Sequence, residues 1–597
     1  MANWSKETLY ARIVARWDEL TGVYTKVNRN RDYMATYFRS DEVVDTDDNG
    51  DLVGQSIYNG SGSWYSRKMA TMFQGSLVSK NIAWIRYKMD QHELKGIDEL
   101  DIWLQKIKDY MSDCYQKSNF YDVQPQFTHD GVTLGSPVMF AEEDKKTKRT
   151  MWMPQHYKNV RVYYDKYNQP EGVIVEDKTW TAKKIFDTFI GEDDDNYTKS
   201  TSKLAVSIVN ALREGRLNEK FKVYRATFKT TDPMWVGDNK DGKGFKKPNG
   251  TWDWLTAYFT ELTVVDKDKE DKPLNANMGD FTQPFSVWNF DKKFWEASSR
   301  TPAWYAIWDN MSLQQMDKNL LEDVQNVNRR AFIALKGQRN NVDLSPEGEM
   351  YVTEAEYDRP PKFLDRVTGI QFSQEAMEIK VESLKRWFYA DQFSMFTDLA
   401  NNKNQPVTAT QIWQMAGEKA TLLSPAIETH SRYLESVDAR MIDIEYRAGR
   451  GPFDPETMGN ITDIIRSNVT REIKEVDIQP VFIGQLAQAQ KTTQALNPIQ
   501  NTIEAVAPLF QVEPNLRFKY RWYELAGKVE DALDFPQDVV VPKDEYDKRV
   551  AAANKAAADQ QELENTIEIA KASKDVSKNV EPDSILATVG EAEAVGG

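Results

Sequence analysis

From Thr408 to about Arg447 the apolar residues Ile412, Met415, Leu422, Ile427, Leu434, Val437, Met441 and Ile444 make one apolar face of a helix. This is the longest helical pattern in the chain, and the rest of the fold has to be arranged around it. Thr408 and Gln411 stand at capping-box spacing at its start. Gly449, Gly451 and Pro452 close it, because glycine accepts the left-handed turn that ends a helix. Pro425 lies inside the run. Proline removes one backbone hydrogen bond and collides with the preceding turn, so a kink is expected there.

Two further helical patterns precede this one. Thr301 and Pro302 pair a capping residue with a proline in the first turn, where a missing N–H costs nothing. Trp304, Ile307, Trp308, Met311, Leu320, Val324 and Val327 then form an apolar stripe. A second helix is expected from about Ser373 to Leu399, carrying Met377, Val381, Leu384, Phe388, Met395 and Leu399. Between them Gly337, Pro346, Gly348, Pro360 and Pro361 mark a compact insertion of strands and turns. The polar loop from Ala400 to Pro406 joins the second helix to the long one.

Residues 1 to about 120 read as helical, with Leu9, Ile13, Trp17 and Leu20 on one face and Ile102, Leu104, Ile107 and Tyr110 on another. Between residues 130 and 300 the period shifts toward two. Strands are expected at Val160–Tyr164 and Gly172–Val175 around a turn at Asn168–Pro170, and at Phe221–Phe228 and Trp254–Val265. Gly237–Gly250 and Asp266–Lys272 read as solvated loops. Rich in Ala, Lys, Glu and Asp, the last 50 or so residues suggest an exposed helix over roughly 543–575 and then a disordered tail. The fold class expected is α+β, predominantly helical.

The chain has 597 residues, room for two to four domains, and its 17 Trp mark it as globular. Cys114 is its one cysteine, which excludes an internal disulfide framework and fits a reducing compartment. No run approaches the length of a membrane span. The net charge of −16 disfavours tight nucleic-acid binding, since a protein that neutralises phosphates is usually basic. A protein that guides DNA without holding it stays possible, because a like-charged wall shortens residence.

Catalytic signals are sparse. Gly242 and Gly244 are not followed by the Lys-Ser/Thr pair of a phosphate loop, and His92, His129, His156 and His430 lack metal-site spacing. Asp45, Asp47 and Asn49, with Gly50, match the early half of a calcium loop, but Ser56 stands where the bidentate glutamate belongs. A polar turn is the plainer reading, with a weak cation site as the other. The acidic run Glu192–Asp195 reads as a solvated loop rather than a two-metal centre. No cofactor is expected.

The segment Thr408–Ile412, then Glu418, Lys419, Pro425 and Arg432–Leu434, followed by Arg447–Pro452 and Phe482–Gln490, resembles the head-to-tail connecting (portal) proteins of short-tailed, podovirus-type bacteriophages. Weaker matches upstream, at Gly75–Leu77, Trp84–Arg86, Gly131–Glu142, Asp165 with Gly172, and Thr181–Ala182, keep the family's order. Departures fall at Ser298–Pro302, where the family often has Tyr-Gly-Arg, and at Arg31–Tyr37, which lacks an early proline.

The resemblance implies a portal fold. Residues 1–300 and 449–510 would be the wing, and helices 301–331 and 373–398 the stem. Residues 332–372 would be the clip, 399–407 the tunnel loop and 408–448 the kinked helix behind it. Residues 511–575 would form the crown and 576–597 a disordered tail. It implies a non-enzymatic homo-oligomeric ring, a dodecamer, at one capsid vertex of the virion, assembled in the host bacterial cytoplasm. Its implied partners are the terminase motor, a tail adaptor, the major capsid and scaffolding proteins, and double-stranded DNA passing non-specifically, with no membrane.

A closed ring repeats one heterologous interface. Asp309, Asp317, Glu322, Glu375, Glu378 and Glu382 are the candidates for an acidic stem channel. Asn401, Asn402, Lys403, Asn404 and Gln405 would project into it and touch phosphates weakly. The rival readings are a non-ring virion scaffold, which the strand-rich middle opposes, and a metal-dependent nuclease, which lacks a convergent carboxylate cluster.

Overall fold

The computed structural model describes residues 9–39, 57–80, 84–89, 94, 97–144, 146–191, 204–232, 252–261, 274–275, 279–328, 332–333, 362–363, 370–390, 409–468, 478–483, 499, 502–509, 519–533, 540–541, 545–556, 559–560 and 565–567. Helices α1 (Leu9–Phe38) and α2 (Ser61–Leu77) come first, then strand β1 (Ile85–Met89) and helices α3 (Asp98–Lys117) and α4 (Phe120–Thr133). Next are β2 (Val138–Glu143), β3 (Thr150–Gln155), β4 (Val160–Tyr164) and β5 (Pro170–Thr181). Two short helices, α5 (Ala182–Phe189) and α6 (Val206–Arg213), precede β6 (Lys220–Lys229), β7 (Trp254–Thr260), β8 (Gly279–Asp280) and β9 (Phe285–Val287). Helix α7 (Pro302–Asn328), β10 (Phe332–Ile333), β11 (Lys362–Phe363) and α8 (Ile370–Trp387) lead to the long α9 (Ala409–Ala448). Helix α10 (Pro455–Asn468), β12 (Ile478–Phe482) and α11 (Trp522–Leu533) follow. The described residues thus form a mixed helical and sheet protein, α+β in class.

Strands β4, β5, β6, β7 and β8 make one antiparallel sheet in that order. Alternation of side chains across it decides what packs on each face. Tyr224, Ala226 and Phe228 of β6 and Leu255, Ala257 and Phe259 of β7 meet Ile13, Trp17 and Leu20 of α1. Val173 and Val175 of β5 point the other way, onto Val138, Phe140 and Phe285 of the three-stranded β3-β2-β9 sheet. A larger core joins Phe73, Trp103, Phe127, Trp152, Trp288, Leu384, Tyr433 and Val437, so α2, α3, α4, α8 and α9 are buried against one another.

Polar ties fix the entry to α7. The buried Arg31 donates to the carbonyls of Leu134 (3.1 Å) and Gly135 (2.7 Å) and to Ser298 Oγ (2.8 Å). Gly135 has φ +78° against the Ser299 carbonyl, a place where a β-carbon would be strained and crowded. Thr301 Oγ1 accepts from the Trp304 N–H at 3.2 Å, and α7 starts at Pro302, as the capping pair predicts.

Several expectations need correction. Residues 1–120 are not all helical, because β1 pairs antiparallel with β12, with Ile85 opposite Phe482. Its short alternating pattern was masked by the helices on both sides. On α3 the buried line is Leu100, Trp103, Leu104, Ile107 and Met111, whereas Ile102 is 52% exposed. One step in a sequence turns a helical side chain by about 100°, so a single misplaced residue shifts the face. Helices α5 and α6 interrupt the strand-rich region, and β7 ends at Thr260. Helix α8 ends at Trp387 rather than running to Leu399, with Tyr389 at φ +53° just beyond it. Met395 and Leu399 lie outside the described residues. Trp308 and Val324 of the α7 stripe are 73% and 40% exposed in the single chain. The helix continues through Pro425.

Candidate docking and channel-facing surfaces

Helices α7 and α8 form an antiparallel pair, since Tyr305 stacks on Trp387 (5.6 Å, 16°) while Asp309 meets Lys380 and Ser383 further along. Asp309 is the hub of this contact. Its carboxylate accepts from Lys380 Nζ at 2.7 Å, Ser383 Oγ at 2.6 Å and Trp387 Nε1 at 3.2 Å. Partial burial opposes its charge, but these donors outweigh burial and hold the carboxyl below its ordinary value. Asp317 accepts from Asn59 Nδ2 at 2.8 Å, beside Gln314, whose Oε1 accepts from the Tyr58 and Asn59 N–H groups at 2.9 Å each. These two acids therefore fasten α7 to the rest of its own chain.

The remaining four acids expected in a stem are exposed. Glu375, Glu378 and Glu382 stand three and four apart on α8 and so share one side of it, and Glu382 meets Arg386 at 2.9 Å. Glu322 lies on the exposed side of α7. Beside Glu378 and Glu382 a groove of about 910 Å³ opens, lined also by Leu320, Gln374, Met377, Val381 and Lys385. The sequence-based tunnel-loop residues Asn401, Asn402, Lys403, Asn404 and Gln405 lie outside the described residues, as do Asp45, Asp47, Asn49, His92 and the Glu192–Asp195 run.

Helix α9 carries buried polar groups that periodicity could not announce. Asp438 Oδ1 accepts from Tyr87 Oη (2.8 Å) and Tyr115 Oη (3.2 Å), while Oδ2 has no partner among the described residues. Burial pushes this carboxyl up to about 7 despite both tyrosines. His430 is enclosed by Trp288 (4.8 Å, 89°) and Tyr433 (5.3 Å), with neither ring nitrogen hydrogen-bonded among the described residues. Burial lowers it to about 3, so it is a neutral packed residue. Arg440 ties α9 to β2 and β8 through the Ala141 carbonyl (3.3 Å) and Asp280 (2.9 Å). His129 is buried with Ser66 Oγ 3.1 Å away, and His156 accepts from the Lys158 N–H.

A feature that sequence reasoning missed lies just before α7. Asp291 and Arg300 bridge backbone to backbone in both directions (3.2 and 2.7 Å), closing a loop. Arg300 grips Glu296 through Nη2 (2.6 Å) and Nε (3.1 Å), and the Glu296 N–H donates to the Lys293 carbonyl at 3.2 Å. Lys292 lies 3.6 Å from the Tyr164 ring centroid and donates to Asn168; half-burial pulls it down to about 8. The tip of this braced loop is Phe294, 72% exposed, and Trp295, 81% exposed. Two adjacent large aromatics between Lys293 and Glu296 were the signal available in the sequence.

Among the described residues, no helix is long and apolar enough to cross a membrane. A family model described as bacteriophage head to tail connecting protein matches residues 10–541. The chain is 28% identical over 182 residues to the probable portal protein of Bordetella phage BPP-1, an alignment covering 30% of this chain and 29% of that relative. It is 21% identical over 499 residues to the portal protein of Salmonella phage epsilon15, covering 82% of this chain and 80% of that one.

Proposed function

The chain belongs to the bacteriophage head to tail connecting protein family, as a portal protein and virion component, and from that premise we propose how it works. Twelve copies close into a ring at one capsid vertex, and DNA enters and leaves along the axis. The ring is assembled in the host cytoplasm against the major capsid and scaffolding proteins. Its role is structural. The observation that carries this reading is the order α7, short β10–β11 pair, α8, α9, with free carboxylates left on the exposed side of the helix pair. In this reading α7 and α8 are the stem, 332–372 the clip that docks the terminase and later the tail adaptor, and 399–407 the tunnel loop. Residues 1–300 and 449–510 are the wing, 511–575 the crown, and 576–597 a disordered tail.

Of the six acids assigned to the stem, Glu322, Glu375 and Glu378 have no cation partner among the described residues; Glu322 and Glu375, which lie away from the upper end of the groove, are proposed to face the channel. Carboxylate rings repel the phosphate backbone and keep it sliding. Asp309 and Asp317 serve instead to hold the helices in place. Asn401, Asn402, Lys403, Asn404 and Gln405 are proposed to line the constriction, with Lys403 making brief, salt-screened phosphate contacts.

Electron microscopy of the purified full chain tests the assembly: closed rings with an axial hole are expected, and open filaments or monomers at every concentration would favour a scaffold. Lys403→Glu tests the loop. Such particles are expected to form normal rings but to package or retain less DNA, measured as nuclease-protected genome per capsid. Wild-type packaging and retention would remove Lys403 from the channel.

A further inference from the structure

We propose that the Phe294–Trp295 tip is the projecting half of the contact between neighbouring copies, and that it seats in the α7–α8 groove of the next copy. This rests on the ring reading above and names the residues that would close it. A closed ring needs two unlike, complementary patches on one chain. The tip is one. Two adjacent aromatics at 72% and 81% exposure are costly in water, and their loop is braced by the Asp291–Arg300 bridge and the Glu296–Arg300 pair rather than free to fold them away. Such rigid, preorganised aromatics are the usual anchors of a protein contact.

The groove is the other patch. Leu320, Met377 and Val381 give it an apolar strip among Gln374, Glu378, Glu382 and Lys385, and its 910 Å³ has room for two aromatic side chains. Charge selects the occupant. The groove edge carries Glu378 and Glu382 against Lys385, and the tip is led by Lys293. The heights also agree. Lys385 lies two residues before Trp387, which stacks on Tyr305 in the first turn of α7, so the upper end of the groove is level with the loop that precedes α7. Tip and groove thus meet at one level when copies are related by rotation about an axis that runs along the α7–α8 pair, as the proposed ring requires. A second copy of this chain is the occupant that supplies an aromatic, cationic projection at that level.

Complementation between full-length variants tests this by mass photometry. Phe294→Ala with Trp295→Ala removes the tip and leaves the groove; Glu378→Lys with Glu382→Lys spoils the groove and leaves the tip. All four positions are exposed, so both variants should fold, with circular dichroism and melting temperature as in wild type. Each alone is expected to need a concentration roughly tenfold or more above wild type to assemble, the effect of losing an interface anchor. Mixed together, they should give dimers that cannot extend, because each dimer holds one intact junction. Lys293→Glu, which keeps both aromatics, should weaken assembly, and adding Glu378→Lys and Glu382→Lys to the same chain should restore it. Wild-type assembly by the tip variant would overturn the proposal and assign the aromatics to another partner. Mixtures that stay monomeric would overturn the pairing of tip with groove. Should wild type itself never form rings, the ring reading fails as well, which the wild-type control shows separately.

Discussion

Replacing Trp288 by alanine is expected to cost the central core roughly 3–5 kcal/mol, the range for deleting a large buried aromatic. Trp288 is completely buried just after β9 and touches Phe73 of α2 (6.1 Å), Phe290 (6.1 Å) and His430 of α9 (4.8 Å). Gly131 of α4 lies flat against its ring, with no space for a β-carbon. Three helices therefore rest on one side chain, and none can slide inward without breaking its own contacts elsewhere. The cavity would stay open, and an open cavity adds to the lost transfer energy. The measurement is the denaturant midpoint of the full-length variant, followed by far-ultraviolet circular dichroism. A loss below about 1 kcal/mol, the level of an ordinary substitution, would show that the helices close over the site and that Trp288 is not their common support.

That core shows where the sequence was readable. The long-helix pattern named Ile427, Leu434, Val437, Met441 and Ile444, and all five are buried on α9. The strands β4, β5 and β6 were legible by their β-branched and aromatic residues between turn residues; packed on both faces, they are buried in continuous runs rather than at alternate positions. Thr301 and Pro302 located the start of α7, because capping is a local interaction between residues three apart. Strand β1 was not legible. Its pairing partner, β12, lies almost four hundred residues away, and five residues between helices carry too little pattern of their own. The six acids assigned to the stem could be picked out in the sequence but not sorted by what they touch. Whether Asp309 faces solvent or Lys380 depends on how two helices meet, and no spacing within one helix records that. The aromatic tip stayed hidden because loops carry no period, and its meaning lies in the Asp291–Arg300 clasp that holds it out.

The buried acid on α9 gives a pH dependence of definite sign. Asp438 has an ordinary value of 3.8 and is held at about 7 in the fold, mainly by burial. Below pH 3.8 it is protonated in both states, and its neutral form suits the buried site. Between 3.8 and about 7 the folded chain keeps a proton that the unfolded chain has released, so stability falls as pH rises through this window and then levels off. The full loss is about 4 kcal/mol as an order of magnitude, from roughly three pH units at 1.36 kcal/mol each. Asp438→Asn cannot ionise, and its carbonyl can still accept from Tyr87 and Tyr115. Its amide would stand where Oδ2 already lacks a partner, a pH-independent cost of about 1–3 kcal/mol. The two stability curves should therefore cross. The variant should melt below wild type at pH 4, where wild type has lost little, and above it at pH 8. His430, held at about 3 in the fold, contributes the opposite slope, since the unfolded chain takes up protons below its ordinary 6.5. That slope is common to both proteins and cancels in their difference, so the crossing isolates Asp438. Melting curves separated by one constant offset from pH 4 to pH 8 would mean that Asp438 is ionised in the fold and that the two tyrosine hydroxyls alone satisfy its charge.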